Sequence, residues 1–215
     1  MRRKILKLVG LLMCLTWGVA SVVACGEKDG EDTLVPTEGL KYELNEEGDG
    51  YTVNTISWIV EGELIGPPVN VVIPYTYEGL PVTSIGIRAF YNSYDLKKIV
   101  IPDTVISIGH SAFNGCYKLK DMELPNSIKS IGSRAFFDCD SLERVIIPDT
   151  VTSIGEQAFV YCDGLTIYCE AESQPEGWDS HWNPSNCPVY WYSEDKPAIN
   201  GNYWHYNKKG KIAIW

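Results

Sequence analysis

Gly109-His110-Ser111, with Cys116 shortly after, brings a base, a hydroxyl and a thiol into one short stretch. Such residues could make a nucleophile activated by a neighbouring imidazole. A second grouping, Trp178-Asp179-Ser180-His181-Trp182, places Asp179 two residues from His181, with Cys187 not far downstream. A Cys-His site could be built from these. Neither grouping has the surrounding pattern such chemistry needs. Gly109-His110-Ser111-Ala112-Phe113 lacks the final glycine of a nucleophile elbow and its strand-to-helix context. The chain has three histidines, His110, His181 and His205. It shows no phosphate loop, no metal-spaced cluster and no dinucleotide fingerprint. The expectation is a protein with no catalytic residues, no metal and no cofactor.

The element that holds His110 is a repeat. "IPDTVISIGHSAFNGC" at 101 recurs as "LPNSIKSIGSRAFFDC" at 124 and "IPDTVTSIGEQAFVYC" at 147, a step of 23 residues. A fourth copy, "VTSIGIRAFYNS", runs from Val82 to Ser93. Its proline, Pro74, stands 28 residues before Pro102, so it carries a five-residue insertion around "YTYEGLP". A fixed period of this size marks a stacked repeat architecture. The constant positions form columns: Ile85, Ile108, Ile131 and Ile154, then the alanines from Ala89, the phenylalanines from Phe90 and the leucines from Leu96. One repeat cannot bury these side chains alone, but stacked neighbours turn each column into an interior ridge.

In this frame the suspected nucleophile dissolves. His110 shares its column with Ile87, Ser133 and Glu156, and Ser111 with Arg88, Arg134 and Gln157. Columns that accept such different residues are surface slots. Within each repeat, "LKKIVIP", "LKDMELP" and "LERVIIP" read as short strands closed by a proline that cannot donate to a ladder. Pro-Asp-Thr or Pro-Asn-Ser turns the chain, and "VTSIG" or "VISIG" reads as a second strand. The Ala-Phe segment is expected to form a helical or 3₁₀ turn.

The Ile-Pro, Ser-Ile-Gly, Ala-Phe and Cys columns at period 23 resemble the BspA-like leucine-rich repeats of bacterial surface proteins, over roughly residues 70–168. The resemblance implies a curved, β-rich solenoid of about four 23-residue coils that binds other macromolecules, often in host or cell–cell adhesion. It also implies terminal segments: an N-terminal hairpin cap at 39–70, the solenoid at 71–168, and a Trp/Tyr-rich C-terminal cap at 169–215.

Seven cysteines remain to be placed. Cys14 lies in the leader. Cys116, Cys139 and Cys162 share one column, with Ser93 in the same slot of the first copy. Disulfides suit this column poorly, because stacked side chains point the same way. A linear ladder also lacks the tetrahedral convergence of a zinc site. These cysteines are expected to be small buried packing residues. Cys169 and Cys187 lie beyond the last full repeat of an exported chain and are expected to pair as a disulfide, closing a loop worth about 3 kcal/mol.

Residues 171–215 hold Trp178, Trp182, Trp191, Trp204 and Trp215 of the seven tryptophans, with Tyr190, Tyr192, Tyr203 and Tyr206. They could close the end of the array, which otherwise exposes its core, or stack on sugar rings. Capping is the leading expectation. "VYWYS" and "KIAIW" read as strands of the cap, with "NYWHY" as a possible third.

The first residues, "MRRKILKLVGLLMCLTWGVASVVAC", combine a basic start with an apolar stretch from Leu8 to Ala24. That stretch is 17 residues, at the short edge of a membrane span. The "VVAC" ending at Cys25 resembles the lipobox of bacterial lipoproteins. It implies cleavage after residue 24, lipidation of Cys25 and a membrane tether through residues 25–38; simple secretion and an uncleaved anchor are the alternatives. Loss of residues 1–24 removes four basic residues and leaves fourteen against 28 acidic, a net charge of −14. That balance argues against nucleic acid and against electrostatic docking on anionic lipid.

The expected function is therefore that of an exported, lipid-anchored cell-surface protein whose repeats bind a host or bacterial surface protein or glycan. The outward positions of the strands are the candidate contacts: Lys98 and Val100, Asp121 and Glu123, Arg144 and Ile146. Four coils would give a face about 15–20 Å long. The alternative is a carbohydrate-binding accessory lipoprotein that uses the aromatic C-terminal segment.

Overall fold

The computed structural model describes residues 36–54, 59–60, 63–64, 69–198 and 201–215. Cys25, the leader and most of the tether expected at 25–38 lie outside the described residues. Among those described, the secondary structure is strand and turn, with no helix.

The chain opens with a hairpin, β1 (Lys41–Leu44) and β2 (Tyr51–Asn54), paired antiparallel. A two-residue pair, β3 (Ile59–Val60) and β4 (Glu63–Leu64), follows. Then come β5 (Asn70–Val72), β6 (Thr76–Tyr77) and β7 (Leu80–Ile85). The five-residue insertion at "YTYEGLP" is the β6–β7 hairpin, in which Tyr77 faces Leu80. Its two turn residues, Glu78 and Gly79, both have left-handed φ, 47° and 84°. That backbone twist suits a two-residue hairpin loop.

From β7 onward each repeat contributes two strands, in two separate rows. One row continues with β8 (Lys98–Val100) after β5, then β10 (Asp121–Met122), β12 (Arg144–Ile147) and β14 (Thr166–Cys169). The other runs through β9 (Ser107–Ile108), β11 (Ser130–Ile131) and β13 (Ser153–Ile154). In this second row the strands pair in parallel and in strict register: Ser84, Ser107, Ser130 and Ser153 lie opposite one another, as do Ile85, Ile108, Ile131 and Ile154. The sequence columns are therefore physical columns. The hairpin joins the row because β2 pairs in parallel with β7.

Between the rows, the prolines open tight turns. Val105, Ile128 and Val151 each donate their backbone N–H to the carbonyl of Pro102, Pro125 and Pro148, at 3.0–3.1 Å. The Ala-Phe segments form turns and no regular helix: i→i−3 bonds such as Ala112 to Gly109 and Asn114 to Ser111 alternate with donors that bond elsewhere. Their alternate N–H groups leave the repeat altogether: Ser111 donates to the Ser133 carbonyl, Phe113 to Ala135 and Gly115 to Phe137. A donor spent on the next repeat is not free for a helix. The backbone also turns left-handed at Arg88, Ser111, Arg134 and Gln157, with φ of 53–61°, which breaks any right-handed helix there.

The core fills the space between these walls. Phe90, Phe113, Phe136 and Phe159 are fully buried and stack with centroids 5.1, 5.3 and 5.2 Å apart and planes within 9° of parallel. Gly109 and Gly132 meet the preceding glycine so closely that a Cβ on Gly132 would lie 2.6 Å from the Gly109 carbonyl carbon. The Ser-Ile-Gly column thus needs glycine for close approach of one backbone to another.

The strand row does not stop at residue 168. β14 pairs in parallel with β15 (Val189–Tyr192), and β15 with β16 (Tyr203–Tyr206). An antiparallel strand, β17 (Ile212–Ile214), lies at its edge. "NYWHY" is accordingly a full member of the row. Trp178 takes the next place in the Ile154 column through a parallel bridge, and Trp182 meets Phe159 edge-on, with centroids 5.9 Å apart.

Candidate functional site: the groove over the strand row

Side chains alternate across a strand, and burial follows that rule in the row that starts at β5. Ile99, Met122, Val145 and Ile167 point into the core and are buried. Lys98, Glu123 and Arg144 are exposed, and Val100 and Ile146 are half-buried. Asp121 takes its place in register with Lys98. Lys98, Val100, Glu123, Arg144 and Ile146 line a groove of about 1080 Å³ that runs on over Tyr168, Glu170 and Tyr206.

The groove changes character along its length. At the β8–β12 end it carries both charges, Lys98, Lys120 and Arg144 beside Glu123 and Glu143, with aliphatic Val100 and Ile146 between them. Lys120 and Glu143 are 3.9 Å apart, an exposed pair that contributes little. Toward β16 the outward positions become aromatic. Tyr168 lies opposite Tyr190 and their rings stack at 5.4 Å. Tyr192 lies opposite Trp204. Tyr206 donates its phenol proton to Glu170 Oε1 at 2.7 Å. Burial and this bond to a carboxylate both push the Tyr206 phenol pKa up, so the phenol is a neutral donor.

Trp204 was not singled out from the other tryptophans by sequence, and it anchors this end. It has no exposed surface. Its ring meets Tyr168, Tyr192 and Tyr206 edge-on at 4.8–5.6 Å, and its Nε1 donates to the Cys169 carbonyl at 2.9 Å. Trp178 and Trp182 belong instead to the core beyond Phe159, packed on one another at 4.9 Å. Trp191 leans on Trp178. Trp215 stacks flat on His205 at 3.9 Å. One aromatic segment therefore serves two places. The only sequence signal that separates them is parity along a strand: residues 190 and 192 have one parity, 191 the other.

The suspected chemistry does not assemble. His110 is exposed, while Ser111 is buried and Cys116 has no exposed surface. The Cys116 thiol donates to the Phe90 carbonyl at 3.2 Å, and burial pushes its pKa up to about 12. A thiol held protonated is a poor nucleophile. His181 is exposed beside Asp179 and Ser180, and Cys187 Sγ faces the carbonyls of Phe159 and Cys162. Among the described residues no group of three or more His, Cys, Asp or Glu converges on a metal position.

The expected Cys169–Cys187 disulfide is not formed; both are buried free thiols. Val189 pairs with Ile167, which sets Cys187 opposite Leu165. Cys169 then lies four residues further along its strand, about 13 Å away, whereas a disulfide needs Cα atoms within about 7 Å. Cys187 instead extends the cysteine column. The thiols of Cys116, Cys139 and Cys162 donate to the carbonyls of Phe90, Phe113 and Phe136 at 3.0–3.2 Å. Cys187 reaches the carbonyl of Phe159 at 3.8 Å.

Parallel strands stacked repeat on repeat over a column-built core, with one row presenting an open groove, define a leucine-rich-repeat scaffold. Comparison with known proteins agrees. Residues 83–172 match the BspA type leucine rich repeat region, counted as six copies. A leucine-rich repeat protein of T. pallidum, TpLRR, superposes with a TM-score of 0.63 at 28% identity, covering 74% of this chain and 71% of that one. A leucine-rich repeat protein from Bacteroides capillosus gives a TM-score of 0.53 at 29% identity, covering 64% of this chain and 98% of that one. The pneumococcal vaccine antigen PcpA shares the fold at a TM-score of 0.51 and 19% identity, over 70% of this chain and 41% of its own. Comparison with curated proteins gives no match. Residues 83–172 are a BspA type leucine-rich repeat region, and the fold is shared with bacterial leucine-rich repeat proteins.

Proposed function

We propose that this protein is an interaction module of the cell surface, tethered by a lipid on Cys25, and that the groove over the strand row binds a protein or glycan partner. The alternation that buries Ile99, Met122, Val145 and Ile167 while exposing Lys98, Glu123 and Arg144 carries this reading. It gives a face of mixed charge, aliphatic and phenolic groups, the composition of a recognition surface. In this reading the repeats form a solenoid whose ends are covered by the β1–β2 hairpin and by Trp178 and Trp182. Seven strands, β5 through β16, at about 4.8 Å spacing give the face a length of about 29 Å. A face of this size favours modest single-site affinity, raised when many tethered copies engage one surface.

The second reading places carbohydrate over the aromatic segment. Half-exposed Tyr168, which lines the groove, and half-exposed Tyr190 and Tyr192 on the neighbouring strand favour it. Burial of Trp178, Trp182 and Trp204 limits it, because these rings have no free face for a sugar. The test is an array of surface and matrix proteins and of glycans, probed with wild type and with Arg144→Glu combined with Ile146→Asp. Partner binding by wild type and at least tenfold loss in the double variant supports the groove. Equal binding by both removes it.

A further inference from the structure

The cysteine column ends at its most exposed member, Cys187. Cys116 and Cys139 have no exposed surface and lie between repeats on both sides. Cys162 is 2% exposed and Cys187 is 8% exposed. The two share one cleft of about 210 Å³, lined also by Asp163, Ser185 and Asn186. Cys187 closes a short clipped loop. Its N–H donates to Asn183 Oδ1, and Asn183 Nδ2 donates back to its carbonyl. Residues 184–186 between them are exposed. Its thiol is also the least firmly held of the column, at 3.8 Å from each of two carbonyls. The Cys162 thiol sits in the same relation to Phe136 as Cys187 does to Phe159. The two cysteines are thus neighbours in adjacent layers, with the Cys187 thiol 3.8 Å from the Cys162 carbonyl, and Cys187 is carried on the 183–187 loop, outside the regular repeats whose in-line side chains suit a disulfide poorly.

We propose that Cys162 and Cys187 form a dithiol oxidation site that closes to a disulfide and ties the aromatic segment to the last regular repeat. A small disulfide is the oxidant. Deprotonated Cys187 attacks one of its sulfurs and displaces the other as a thiolate, giving a mixed disulfide. Cys162 then gives up its proton, attacks the Cys187 sulfur and releases the second thiol. Two protein thiols are oxidised and one external disulfide is reduced to two thiols.

The experiment uses the full chain, folded, exposed to glutathione disulfide, and then alkylated and unfolded without reductant. Cleavage after glutamate places Cys162 and Cys169 in the fragment 157–170 and Cys187 in 177–194. Mass spectrometry is expected to find these fragments joined in wild type and in Cys169→Ser, and separate in Cys162→Ser and Cys187→Ser. Joining that survives Cys162→Ser, or no joining in folded wild type, overturns the proposal. Should Cys162→Ser fail to fold, fragmentation of the joined wild-type peptides decides between the sulfurs, since Asp163 separates Cys162 from Cys169 along the chain.

Discussion

Tyr206 and Glu170 meet across the outer face of the strand row, phenol to carboxylate at 2.7 Å, although 36 residues separate them. The bond passes over β15 and ties β16 to β14. It makes the C-terminal segment part of the groove rather than an appendage. Tyr206→Phe keeps the ring and removes the donor. The expected result is a stability loss of about 1 kcal/mol or less and a measurable drop in partner affinity, read by urea unfolding and by titration. A loss of several kcal/mol would show that the tyrosine acts in the core instead.

The phenylalanine ladder holds the repeats together. Phe113 is fully buried between Phe90 and Phe136. Phe113→Ala is expected to cost about 3–5 kcal/mol, measured by denaturant unfolding. An unchanged midpoint would contradict the core assignment.

Two positions near each other in the repeat should respond in opposite senses. Gly132→Ala must push a Cβ into the Gly109 backbone, an overpacking cost of about 1–3 kcal/mol. Gln157 holds a left-handed φ of 61°, so Gln157→Gly should be neutral or stabilising by up to about 1 kcal/mol. Thermal unfolding of both variants checks the pair of signs.

Buried thiols make stability fall in alkali. Burial raises Cys116 and Cys162 from the usual 9.0 to about 12 in the folded chain. The unfolded chain therefore loses its thiol protons first. The stability these groups contribute is complete below about pH 9 and is lost as the pH climbs toward about 12. The loss of Tm between about pH 8 and about pH 10.5 should be smaller in a Cys116→Ala/Cys162→Ala variant than in wild type. Equal losses would assign the alkaline sensitivity to other groups.

What could be read in the sequence was what repeats. The Ile, Ala, Phe and Leu columns fall out of the 23-residue period, and the register of Ser107 on Ser130 on Ser153 reproduces them. The outward positions from Lys98 to Ile146 follow from alternation in the same strands. The errors came where local pattern and tertiary pairing compete. The Ala-Phe turn gives no sign in sequence that every second N–H bonds the next repeat while the others close i→i−3 turns. Cys187 reads as a partner for Cys169 because both lie beyond the last full repeat, and its step of 25 residues from Cys162, rather than 23, hides its place in the column. Trp204 is buried by Tyr168 and Tyr192, contacts made by parallel strands that no period announces.

The groove as binding face is tested most directly by hydrogen–deuterium exchange on the full chain, free and with a partner captured from the arrays. Slowed exchange is expected in β8, β10, β12, β14, β15 and β16, with the Ala-Phe turns at 87–92 and 110–115 unchanged. Protection confined to those turns, with the strand row unaffected, would contradict the assignment.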